Sequence, residues 1–133
     1  MIGQSEMWAA LNVAAITSLL KSYSGTPGLI QDSIIPDKIN GVNTKAHDTT
    51  INFYPSGPFS GALDYGRYTF AVNCRAKNFK LSRQLAETVI SEINRVSYTD
   101  YYIITELLET IKPIDETDNY LTPVQVILKT RGW

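Results

Sequence analysis

From residue 66 onward the chain alternates. Tyr68, Phe70, Val72, Cys74 and Ala76 take every second position, with Arg67, Thr69, Asn73 and Arg75 between them. That is the pattern of a strand with one buried face, and it predicts a strand over residues 66–76. The period then changes. Leu85, Ala86, Val89, Ile90 and Ile93 recur at three- and four-residue spacing behind Ser82, which stands where an N-cap would. This predicts a helix over residues 82–95. Residues 101–111 are rich in β-branched and aromatic side chains. Residues 120–130 carry Val124, Val126 and Leu128 on one face, with Gln125 and Lys129 opposite. Both read as strands, with Pro123 suited to an edge or the start of a strand. The acidic, polar stretch 113–119 is their connection.

Earlier in the chain, Trp8, Leu11, Ala15 and Leu19 cluster on a helical wheel, and Ile16, Leu20 and Val13 widen the apolar arc to about 200°. A first helix is therefore expected over residues 5–22, capped by Ser5 and closed near Lys21 and Gly25. An arc that wide suggests either a second contact, such as another subunit, or a helix closely covered within one chain. Residues 23–50 read as mostly irregular, punctuated by Gly25, Pro27, Gly28, Pro36 and Gly41. A connection of that length in a compact domain is commonly functional or ordered by a partner. A short strand is expected at 51–54, and the turn-rich stretch 55–61 reads as a projecting loop. Together these elements predict one α+β domain over residues 1–133. Its sheet is mostly antiparallel, of about four strands, packed with two main helices.

Composition narrows the function mainly by exclusion. At 133 residues the chain has room for one real core. A formal net charge of -1 gives no overall pull toward nucleic acid or acidic membranes. The lone cysteine, Cys74, falls on the apolar face of its strand and cannot form an internal disulfide, which fits a reducing compartment. No positive n-region precedes the first apolar run, so a signal peptide is not expected. No apolar stretch approaches the ~18 residues a membrane helix requires.

Candidate chemistry is sparse. His47 has Asp48 beside it, yet there is no cysteine or second histidine to complete a metal site. No Gly-x-Ser-x-Gly elbow places a serine nucleophile, and the glycines near 57–66 do not open a helix as a phosphate cradle would. Glu106 and Glu109 would point to opposite faces of a strand and so do not form an acid/base pair. No catalytic, metal or cofactor-binding residue is expected. What remains is a segregation of charge. Arg67, Arg75, Lys77, Lys80 and Arg83 lie in a stretch with no acid, while Glu106, Glu109, Asp115, Glu116 and Asp118 share theirs with Lys112 alone. These ten residues are the candidate subunit-interface set. Two oppositely charged regions could be ordinary solvated faces, or could meet head-to-tail on neighbouring copies as in a closed ring.

The strand Tyr68-Thr-Phe-Ala-Val-Asn-Cys-Arg-Ala76, the helix segment Leu85-Ala-Glu-Thr-Val-Ile-Ser-Glu-Ile93 and the closing strand segment Val124-Gln-Val-Ile-Leu128 resemble the tail terminator (tail completion) proteins of long-tailed bacteriophages. The resemblance covers most of the chain in element order and residues 66–95 in texture, and it carries no invariant chemical motif. It implies a ring-forming virion protein without enzymatic activity or cofactor. Such a protein forms a homo-hexamer that docks on the last ring of the tail tube protein and stops polymerisation. It presents a surface to a neck or head completion protein and, in contractile tails, touches the sheath protein. DNA passes through the channel without sequence-specific binding, and assembly takes place in the host cytoplasm. The loops 23–50 and 55–61 would be the parts that grip neighbouring rings. Other readings remain open: another neck protein (a head-tail connector or stopper), a ferredoxin-like small-molecule-binding module, or, least supported, a hydrolase.

Overall fold

The computed structural model describes residues 4–32, 34–44, 49–56, 67–98, 101–110 and 119–130. In chain order the elements are α1 (Gln4–Leu11), α2 (Ala14–Thr17), β1 (Ser22–Tyr23), β2 (Thr26–Pro27), β3 (Leu29–Ile30), β4 (Lys38–Ile39), β5 (Val42–Asn43), β6 (Thr50–Pro55), β7 (Arg67–Ala76), α3 (Phe79–Ile93), β8 (Tyr101–Leu107) and β9 (Tyr120–Thr130). The main sheet has five strands in the order β3-β6-β7-β9-β8. All neighbours pair antiparallel except β3 and β6, which are parallel. The sheet is thus mixed, with one strand more than expected, and its order is not that of a ferredoxin-like domain with four strands and two long helices.

The long strand β7 forms as its alternation requires. Phe70, Val72, Cys74 and Ala76 are fully buried. Across the ladder their partners are Ile51 and Phe53 in β6, and Thr122, Val124 and Val126 in β9. Helix α3 lies on this face, against β7, β9 and β8. It buries Ser82, Leu85, Ala86, Val89 and Ile93 as one stripe, and each large apolar side chain so covered contributes about 1.5–3 kcal/mol. The helix begins earlier than expected. Asn78 is its N-cap, and the side chain accepts from the Leu81 N–H at 2.8 Å. Ser82 sits inside the helix on the buried stripe, where its hydroxyl donates to the Cys74 carbonyl at 2.9 Å. A cap residue must lie outside the helical stripe, and Ser82 lies on it.

The first helix is not continuous. It stops at Leu11, Val13 is extended (φ -119°, ψ 150°), and the four-residue α2 follows. The Ser5 hydroxyl reaches Glu6 rather than a backbone N–H, and Lys21 already pairs with Thr49 (N–H to carbonyl, 2.8 Å). Burial explains the break. Met7, Ala10 and Leu11 are buried, and so are Ile16 and Leu20. In one straight helix Ile16 would lie about 180° from Met7, at 100° per residue. Breaking at Asn12–Val13 turns both groups inward. The broad apolar arc read from the wheel is therefore mostly absorbed by the chain's own core, with Leu19 left 38% exposed.

The segment expected to be irregular is ordered by backbone pairing. Two small hairpins, β1–β2 and β4–β5, turn through Ser24-Gly25 and Asn40-Gly41. All four turn residues have positive φ (54°, 88°, 50° and 78°), as the favoured two-residue hairpin turns require. The side chain of Asn40 ties the two hairpins together by donating to the Tyr23 carbonyl (3.2 Å) and to the Thr26 hydroxyl. Between them β3 joins the edge of the main sheet, with the Ile51 N–H donating to the Gly28 carbonyl at 2.8 Å. Pro123 lies near the start of β9, paired with Asn73 of β7 and one residue outside the β8 ladder, which ends at Leu107–Val124. Its carbonyl accepts from the Leu108 N–H at 3.1 Å. The donor that proline lacks is on the same side, so the pair with Leu108 has one bond in place of two and the β8 ladder ends there.

Candidate functional site

The sheet has two unlike faces. One is covered by the helices and carries the core. On the other, β6 and β7 present Thr50, Asn52 and Asn73, all buried, and Arg75. Here the returning chain closes over the sheet. Asn52 donates from its amide to the Asp32 carbonyl (3.2 Å) and accepts from Arg75 Nε (3.3 Å). The β9 and β8 half of this face shows Gln125, Ile127 and Lys129 opposite Glu106, Ile104 and Tyr102. Apart from Glu106, which is exposed, these side chains are half-buried.

The ten charged candidates separate in space. Arg67 opens β7 and Arg75 is eight residues along the same strand, about 26 Å away by strand rise. Arg75 belongs to the Asn52–Asp32 polar cluster. Lys77 and Lys80 are exposed around the start of α3, and Arg83 approaches Glu87 one turn on, at 3.8 Å. Glu106 projects from the open face of β8, and Glu109 lies beyond the strand's end. Asp115, Glu116 and Asp118 lie outside the described residues, as do His47, Asp48 and most of the loop expected at 55–61.

A chain of hydroxyls fixes how the charged stretches relate. Thr110 Oγ1 is 2.8 Å from Thr122 Oγ1, which is 2.7 Å from the Ser82 hydroxyl. The end of β8 is thereby held against the first turns of α3. Lys77, Lys80, Arg83 and Glu109 consequently sit at one end of the molecule, while Glu106 stands on the sheet's other face level with Ala71, midway along β7.

Side chains that sequence reasoning passed over complete the picture. Phe79 is 53% exposed among the lysines, held edge-on to Tyr120 with ring centroids 6.4 Å apart. Tyr98 and Tyr101 stack at 4.5 Å on the surface. Burial first, with the neighbouring Tyr98 and Glu6 adding, pushes the Tyr101 phenol above its ordinary pKa. Tyr102, Ile104 and Ile127 form the apolar centre of the open face. Their signal was present in the sequence: residues 101–104 are apolar on both faces of the strand, as a strand covered on both sides would be.

Among the described residues no assembled reaction centre is found. Among the described residues no group of three or more His, Cys, Asp or Glu could hold a metal ion. Two open surface depressions are lined by described residues. One follows α3 along Phe79, Lys80, Arg83, Gln84 and Glu87, and the other lies on the open face at Arg95, Ser97, Tyr102 and Ile104. Cys74 is fully enclosed, and desolvation pushes its thiol pKa far up, the opposite of an activated nucleophile.

Among solved structures the chain is similar to a chain from the virion of a native gene transfer agent (GTA) particle. The TM-score is 0.61 at 14% identity, covering 97% of this chain and 94% of that one. What is shared is the fold. The similarity extends over nearly the whole of both chains. No protein-family model matches the sequence, and no curated protein matches it. No helix among the described residues is long and apolar enough to cross a membrane.

Proposed function

We propose that this chain is a structural protein of a phage-like virion, and that it forms a ring capping the tail tube, ending tail polymerisation and joining tail to neck. The observation that carries the reading is the end-to-end fold similarity to a chain of the gene transfer agent virion. The charge geometry agrees with it. Lys77, Lys80 and Arg83 on the helix side and Glu106 on the sheet face place charges of opposite sign on two different surfaces, which a head-to-tail contact can use. In this reading the partners are further copies of the chain, the tail tube protein and a neck or head completion protein, and no residue performs catalysis.

The test is solution mass by light scattering across a concentration series, with image averages of any ring and a binding assay on purified tail tubes. A sixfold ring, formed freely or on tube ends, is expected. A particle that stays monomeric or dimeric and ignores tube ends would overturn the reading.

A further inference from the structure

The main sheet is covered by helices on one face only. On the other, the chain's own loop shields the β6–β7 half around Asn52 and Asp32, and on the β9–β8 half Tyr102, Ile104 and Ile127 are only half-buried. We propose that this half is covered by the outer stripe of α3 from a second copy in the same orientation, so that copies repeat helix layer against sheet face. This deepens the ring reading and rests on it, by assigning the two surfaces that meet.

The argument is the order of charges along the two surfaces. Helix α3 runs back along the sheet, since Ser82 bonds to Cys74 at one end and the Asn94 side chain accepts from the Thr105 N–H at the other. From the Ala76 end, its outer stripe reads Lys80, Arg83, Gln84, then Glu87 and Ser91. From the same end, the open face reads Glu106 and then Lys129, with Arg95 beside Tyr102 in the depression there. The signs run in opposite order, and the spacings agree. Lys80 to Glu87 is about 10 Å of helix rise, and Gln125, the cross-strand partner of Glu106, stands about 13 Å of strand rise from Lys129.

A second copy slid along the strands therefore sets Lys80 and Arg83 over Glu106, and Glu87 over Lys129. The long stems of Lys80, Arg83 and Gln84 cover Ile104 and Ile127, and the half-exposed Phe79 supplies an apolar side chain at the basic end. Turning the copy end for end would oppose like charges, Glu87 to Glu106. Orientation along the strands is thus specified as well as contact, and a contact between unlike surfaces closes a ring when each copy is also rotated about a common axis relative to the last.

Single thiols placed on the two surfaces read the contact directly, because Cys74 is buried. Gln84→Cys and Gln125→Cys proteins are treated with a short bis-maleimide, separately and mixed, while light scattering follows mass. Crosslinked pairs are expected in the mixture alone, and a ladder of closed oligomers from the double variant. Linking within Gln125→Cys alone, meaning sheet to sheet, or within Gln84→Cys alone, would overturn the proposal. So would a ring by mass with no linking in the mixture, which leaves the ring reading standing. A monomer by mass without linking overturns both. Glu106→Lys is expected to weaken association roughly tenfold, and adding Lys80→Glu and Arg83→Glu to it should restore assembly. Absence of that rescue counts against the assigned surfaces even if the thiols link.

Discussion

At the scale of single residues the interior is decided by how polar groups are satisfied. Ser82, Thr122 and Thr110 hold one another in a hydroxyl chain, and Ser82 also bonds the Cys74 carbonyl. An unpaired buried hydroxyl would cost about 1–3 kcal/mol. Cys74 itself yields a signed pH dependence. Its thiol titrates at an ordinary value of 9.0 when solvated and well above that when folded. Above pH 9 the unfolded chain therefore binds fewer protons than the native one, and stability falls as pH rises. One pH unit past 9, about 1.4 kcal/mol is lost through this residue. Urea unfolding of the wild type and Cys74→Ala at about pH 8 and about pH 10 should show the wild type losing that much more between the two conditions. Parallel losses would refute the account. Tyr101 adds a loss of the same sign in both proteins from its ordinary value of 10.0 upward.

At the scale of elements, sheet edges and helix ends carry the design. β8 is an edge strand by its place in the order, yet its outer groups are occupied. Arg95 donates to the Ile103 carbonyl, Ile103 to that of Val96, and Tyr98 to that of Tyr101. The Thr105 N–H is taken by the Asn94 side chain at 3.0 Å. Arg95 accepts a left-handed φ of 62° to make this turn from helix to edge. A protected edge discourages uncontrolled strand addition. Asn94→Ala should cost about 0.5–1.5 kcal/mol in denaturant unfolding and speed amide exchange at Thr105. Unchanged exchange there would show that Asn94 is not the edge cap. The ends of α3 illustrate what sequence reading could reach. Its apolar stripe was legible from the spacing of Leu85, Ala86, Val89 and Ile93. Its start was not, because Asn78 and Ser82 are both good capping types, and only burial of Ser82 separates them. Likewise Asn40-Gly41 was a readable hairpin signal, obscured because strands of two residues leave no alternation to see.

At the scale of the whole molecule, the long segment before β6 is tied to the main sheet through β3. Gly28 marks the closest approach: a Cβ there would stand 2.9 Å from Thr50 Cγ2, 3.2 Å from the Lys21 carbonyl and 3.2 Å from the Tyr23 ring. Gly28→Ala should therefore destabilise the protein by about 1–3 kcal/mol, with faster exchange of the Ile51 amide that bonds Gly28. A neutral effect would mean that β3 docks loosely and that the loop remains free to reach a neighbour, as its length alone had suggested. The candidate site was legible to the same extent. The two charge runs could be read directly, but their placement could not: the hydroxyl chain through Thr122 brings Glu109 to the end where Lys77, Lys80 and Arg83 lie, while Arg67 and Arg75 fall away from the group.

Periodicity alone determined the strands at 67–76 and 120–130, the inward stripe of α3, the α+β class and the burial of Cys74. Each of these is set by neighbours within a few residues. Tertiary structure decided the break at Val13, the parallel strand Leu29–Ile30 and the approach of Glu109 to the end that carries Lys77, Lys80 and Arg83. Each of these depends on contacts between residues distant in the chain, where the competing local preferences are nearly equal and burial chooses among them.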